Sequence, residues 1–133
     1  MQAATSGTDV RVSKTVDNRL KLIIPSDIAF DAGNARITPN VLPFLDDFAD
    51  SMIHNADTYV TIIGHTDNSN NDVINNPLSF DHAASTRDYL VREGVIFQRI
   101  SINGRGSHEP VEVNNSATSR AINRRVEIYV FEL

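Results

Sequence analysis

The order of elements legible along the chain predicts an α/β fold: a two-layer sandwich whose mixed parallel and antiparallel sheet carries helices packed on one face. Three observations predict it. Two short alternating segments, Val10–Val16 and Leu20–Pro25, flank the turn residues Asp17-Asn18, as the arms of an antiparallel hairpin do. Two stretches with apolar residues at helical spacing follow, each leading into a β-branched run. The last run of this kind, Val126-Glu127-Ile128-Tyr129-Val130-Phe131, reads as a further strand. Strands separated by helices need crossovers, so part of the sheet is parallel.

Taken in order, the hairpin is followed by a loop-like stretch, Phe30 to Ile37. Thr38-Pro39 reads as an N-cap with proline at the first helical position. Val41, Leu42, Leu45, Phe48, Ala49 and Met52 then form one stripe, which predicts a helix from about Pro39 to His54. Tyr59-Val60-Thr61-Ile62-Ile63 predicts a strand ending at Gly64, and the Asn- and Asp-rich segment from His65 to Pro77 predicts a loop. A second helix is expected from near Ser79, with Ala83, Thr86, Leu90 and Val91 inward, stopping where Gly94 takes the left-handed conformation. Ile100–Gly104 predicts another strand, and Ser116 caps a short helix that runs through Asn123.

Composition excludes several function classes. The 133 residues suit one domain with a single core, and 41% hydrophobic with 22% charged residues excludes wholesale disorder. A net charge of −5 argues against a general nucleic-acid binder. The absence of cysteine removes disulfides, thiolate metal sites and thiol nucleophiles. No run of about 20 apolar residues is present, so any membrane attachment comes through an anchor outside this sequence. Residues 1–8 are expected to form a flexible N-terminal linker and residues 9–133 one domain.

Blocks in a fixed order carry a family resemblance: Gly64-His65-Thr66-Asp67, Asn75, Leu78-Ser79, Gly94-Val95, Arg99-Ile100, Gly104-Arg105-Gly106, Pro110 and Arg120 to Ile128. With the entry Phe30-Asp31-Ala32-Gly33-Asn34-Ala35-Arg36-Ile37, they resemble the OmpA-like C-terminal domain family, over about residues 20–131. That family includes peptidoglycan-associated lipoproteins, MotB periplasmic domains and extensions of type VI secretion components. The resemblance implies non-covalent binding of the peptidoglycan stem peptide, in many members through meso-diaminopimelate, by a periplasmic domain held to the outer or inner membrane in the full-length protein. It implies no enzymatic activity and no cofactor.

By the same resemblance Asp67 matches the aspartate that takes the ligand ammonium, while Ser69, Asn75 and Arg124 fall on ligand-contacting positions. Gly33 stands where some members place Asn or Asp, leaving only backbone contact there. The family pattern Leu-Ser-x-x-Arg-Ala, whose arginine clamps a ligand carboxylate, reads Leu78-Ser79-Phe80-Asp81-His82-Ala83 here, so His82 holds the clamp position. A neutral imidazole donates one hydrogen bond where arginine donates a charged pair, a loss of roughly 1.5–3 kcal/mol. Arg87 is rotated by about 140° from it and cannot replace it. Binding is therefore expected to be weaker, or to strengthen as pH falls and His82 becomes cationic.

Other readings of these residues carry less. His54, His65, His82 and His108 lack metal-ligand spacing. Ser79 beside His82 lacks a nucleophile elbow and reads as a helix cap. Gly104-Arg105-Gly106 lacks the glycines and lysine of a phosphate loop. Arg124 and Arg125 enter a strand and so point to opposite faces, one toward a groove and the other toward carboxylates or carbonyls. The alternative to wall binding is a degenerate OmpA-like domain that acts as a protein interaction or homodimerisation module in a secretion or envelope complex.

Overall fold

A computed structural model describes residues 10–132 apart from Asn18 and Ala32; the expected linker, residues 1–8, lies outside the described residues. The elements are β1 (Arg11–Lys14), β2 (Leu20–Pro25), α1 (Ser26–Ala29), a 3₁₀ turn (Pro39–Val41), α2 (Leu42–His54), β3 (Thr58–His65), α3 (Asp72–Arg92), a 3₁₀ turn (Phe97–Arg99), β4 (Ile100–Gly104), α4 (Ala117–Asn123) and β5 (Arg125–Glu132). The strands form one sheet in the order β1-β2-β5-β3-β4. Among the described residues only β3 and β4 are parallel, joined by the α3 crossover, so the sheet is mixed as expected.

The strand period of two sorts the side chains. Leu22 and Ile24 of β2, Val60 and Ile62 of β3, and Val126 and Ile128 of β5 face the long helices and are fully buried. Against them α2 packs Phe44, Leu45, Phe48, Ala49 and Met52, and α3 packs Ala83, Thr86 and Leu90. Phe44, absent from the expected stripe, belongs to this core, while Leu42 is only half-buried. On the opposite face Thr118, Ala121 and Ile122 of α4 line a cavity with Ile23, Pro25 and Arg125.

The second helix differs most from expectation. It begins at Asp72 rather than near Ser79 because Asn71 caps it, its side chain accepting the Ile74 amide at 3.3 Å. Pro77 lies inside the helix, past its first turn, where its missing N–H leaves out the bond to the Val73 carbonyl. Ser79 is therefore not a cap: it is fully buried mid-helix, its hydroxyl donating to the Asn76 carbonyl at 2.9 Å and accepting from the Gly106 amide at 2.9 Å.

Glycine explains how α3 comes so close. Gly64 and Gly104 are paired across β3 and β4. A Cβ on Gly64 would stand 1.9 Å from the Ser79 carbonyl oxygen, and one on Gly104 would stand 2.5 Å from the Phe80 nitrogen. The helix backbone rests directly on bare strand backbone, which places the first turns of α3 beside the end of β3. The expected stop at Gly94 also holds, with φ 110°.

Candidate functional site

A groove of about 280 Å³ opens where the end of β3 meets α1, the first turns of α3 and the entry to β5. Asp67, His82, Asn75, Ser69 and Arg124 all line it, brought together from positions 67 to 124 of the chain.

Asp67 follows β3 directly, and its residue is 6% exposed. Its Oδ1 accepts the Ser69 amide at 2.8 Å and its Oδ2 accepts from Arg124 Nη1. Burial pushes the carboxyl up, but the Ser69 amide and the Arg124 guanidinium outweigh it and hold the carboxyl below the usual aspartate range. The groove floor thus carries an ionised carboxylate at neutral pH.

Arg124 stands between two carboxylates. Its Nε and Nη2 form a fork on Asp27 at 2.7 and 2.8 Å, while Nη1 turns to Asp67. Asp27 above all, and then Asp67, keep the guanidinium protonated more firmly than usual against the effect of burial. The two arginines separate as the strand period predicts. Arg125 is buried, its Nε 2.9 Å from Glu127 Oε2 and its Nη atoms donating to the carbonyls of Asn123 and Glu109.

His82 is 6% exposed and lies flat against Phe30, ring centroids 4.0 Å apart and planes 2° from parallel. Its Nε2 is 2.8 Å from the Asn34 carbonyl, which can only accept, so Nε2 carries the proton. Nδ1 is buried with no hydrogen-bond partner. Burial holds the imidazole below its ordinary value, opposed only in part by the Asn34 carbonyl and Asp81. His82 is therefore neutral at pH 7, and a charged form must leave a second buried N–H unpaired.

Asn75 and Ser69 act on the loop. Asn75 Nδ2 donates to the carbonyls of Asp67 and Asn70 at 3.2 and 2.8 Å, and Ser69 supplies the amide that Asp67 accepts. Gly33 lines the groove with φ 74°, in the left-handed region where glycine is favoured. Arg105 pairs with Glu109 at 3.6 Å and does not line the groove.

Sequence reasoning missed three contributors: Asp27, which forks Arg124; Phe30, which stacks on His82; and Asn34, whose carbonyl takes the imidazole proton. Phe30 and Asn34 lay inside the quoted entry block, whereas Asp27 sits in α1, a four-residue helix with no side-chain cap to signal it. His65, expected in the loop, ends β3 opposite Arg125. It lines the groove and donates from Nε2 to buried Glu127 at 3.1 Å. Lys21, Arg125 and Tyr129 also converge on Glu127. Burial raises that carboxyl, but the His65 and Arg125 contacts carry it far below the usual glutamate range.

The sequence matches the OmpA family over residues 29–124. The peptidoglycan-binding protein ArfA of Mycobacterium tuberculosis is 37% identical over 115 residues, 86% of this chain and 35% of that protein. The chain thus spans about a third of that relative's length. Among solved structures, the cell wall anchor of the type VI secretion system of Pseudomonas aeruginosa matches with a TM-score of 0.80 at 33% identity, over 93% of this chain and 88% of that one. A MotB-like protein from Desulfovibrio vulgaris matches with a TM-score of 0.86 at 22% identity, over 100% and 87%, a likeness of fold. The family match covers most of the chain, and one curated relative is 37% identical over 86% of it: the chain belongs to the OmpA family.

Proposed function

We propose that this domain binds peptidoglycan non-covalently and tethers a cell-envelope protein to the wall from the periplasmic side, on the outer or inner membrane in the full-length protein. The groove takes the diamino residue of the stem peptide, with Asp67 receiving its ammonium and Arg124 holding Asp67 in place. The observation that carries this reading is an ionised, nine-tenths buried carboxylate on the floor of a groove of small-ligand size. The names of ArfA and of the type VI secretion anchor support the wall as target. No catalytic role is assigned to any lining residue.

Sedimentation with isolated sacculi tests the reading. Wild-type protein is expected to co-sediment, free diaminopimelate to compete, and Asp67→Ala to weaken binding at least tenfold, the scale of one lost charge-assisted contact. Arg124 keeps its fork on Asp27 in that variant, so the groove wall stays in place. Wild-type binding that ignores the substitution rejects the Asp67 mechanism.

A second reading, the interaction or homodimerisation module, is favoured by the lack of charge on His82. Absence of sacculus binding together with concentration-dependent self-association in analytical ultracentrifugation would select it.

A further inference from the structure

We infer that the groove selects a stem-peptide residue that bears an ammonium but no free carboxylate at its side-chain end: diaminopimelate with that carboxyl amidated, or lysine. The inference rests on the stem-peptide reading above and names the substrate class of the same site.

The first support is charge. Among the described residues lining the groove, Asp27, Asp31 and Asp67 face one guanidinium, that of Arg124. Arg124 engages all three of its nitrogens with Asp27 and Asp67, so its charge is already balanced by two carboxylates. Arg36 is 3.9 Å from Asp31 but its side chain is 82% exposed and does not line the groove. The walls therefore favour an incoming cation and oppose an incoming anion.

The second support is the state of His82. Its one proton is directed at the Asn34 carbonyl, and its face is covered by Phe30, so the ring offers no N–H to a ligand carboxylate. The remaining nitrogen holds a buried lone pair with no partner. Burial keeps the ring from answering a carboxylate by taking up a proton. Asn75 Nδ2 is engaged with the Asp67 and Asn70 carbonyls and Thr66 Oγ1 with the Asp67 carbonyl, while the Ser26 hydroxyl, buried in the same wall with no hydrogen-bond partner, is a neutral donor that brings no charge to meet a carboxylate.

Isothermal titration at pH 7.5 with three synthetic tripeptides, L-Ala-γ-D-Glu-X, tests the inference. X is meso-diaminopimelate as the free acid, the same residue amidated at the side-chain carboxyl, or L-lysine. The amidated and lysine peptides are expected to bind at least tenfold tighter than the free acid. Both peptides binding above the free acid, in either order or equally, supports the inference. Free acid binding as tightly as the others, or more tightly, overturns it and leaves the sacculus result standing. No binding by any peptide overturns it together with the stem-peptide reading. His82→Arg is expected to raise free-acid affinity tenfold or more; if circular dichroism shows that variant unfolded, the wild-type ranking decides.

Discussion

Replacing Gly64 by alanine tests the contact that seats α3 on the sheet. The new Cβ would stand 1.9 Å from the Ser79 carbonyl oxygen and 2.8 Å from the Ser79 carbonyl carbon. A relaxed C···O contact lies at about 3.3 Å, so about 1.4 Å must be found between two backbones, neither of which can rotate away. Moving α3 outward by that distance opens gaps along Ala83, Thr86 and Leu90, all nearly inaccessible to solvent. Overpacking typically costs about 1–3 kcal/mol, and a backbone-on-backbone clash belongs at the upper end or beyond. At least about 3 kcal/mol is expected, or a Tm lower by about 10 °C for a domain of this size. Urea unfolding followed by circular dichroism measures it. Gly33→Ala is the control: it meets nothing within 4 Å and bears only the left-handed backbone cost, about 1–2 kcal/mol. A Gly64→Ala loss below about 1 kcal/mol, or one no larger than the control's, would refute the account of how α3 is held.

Glu127 makes stability depend on acid. Its carboxyl is depressed in the folded state, so its contribution is fully present above the ordinary value of 4.5 and is lost as pH falls toward the lower folded value. Glu127→Gln should remove about 3–5 kcal/mol at pH 7, by stranding buried Arg125, and should flatten the dependence of the urea midpoint on pH between 2 and 5. Asn123 ties the loop before α4: its Oδ1 accepts the Val111 and Glu112 amides, and its Nδ2 donates to the Glu112 carbonyl and Asn114 Oδ1. Asn123→Ala should cost about 2–4 kcal/mol and speed amide exchange at Val111 and Glu112, which hydrogen-exchange mass spectrometry reads directly.

The strands and α2 were legible because burial on one face imposes alternation or a helical stripe, and both survive in the residues themselves. Arg124 and Arg125 could be assigned to opposite faces by the same period. The start of α3 was not legible: Asp72 to Pro77 stands mostly in solvent, so nothing in its polarity distinguishes helix from loop. The deciding factor, room for backbone against Gly64 and Gly104, is a relation between distant segments. Asp67, Ser69, Asn75, His82 and Arg124 could be named from motif blocks, but the tautomer of His82 depends on a carbonyl 48 residues away. Asp27 was missed for a similar reason, since its role exists only once Arg124 lies beside it, 97 positions on.

The place of β5 in the sheet bears on the order in which the molecule can assemble. It is the last of the five strands in the chain, yet it lies between β2 and β3. Before Arg125 is available, β1-β2 and β3-β4 are two separate pieces with no hydrogen-bonded ladder between them, and their joining depends on contacts of long sequence separation. Asp27 belongs to one piece and Asp67 to the other, and the arginine that links them stands one residue before the strand that closes the sheet. During synthesis Asp27 and Asp67 therefore stay unlinked until the last strand emerges, and the bridge between the two walls of the groove is among the last contacts to form.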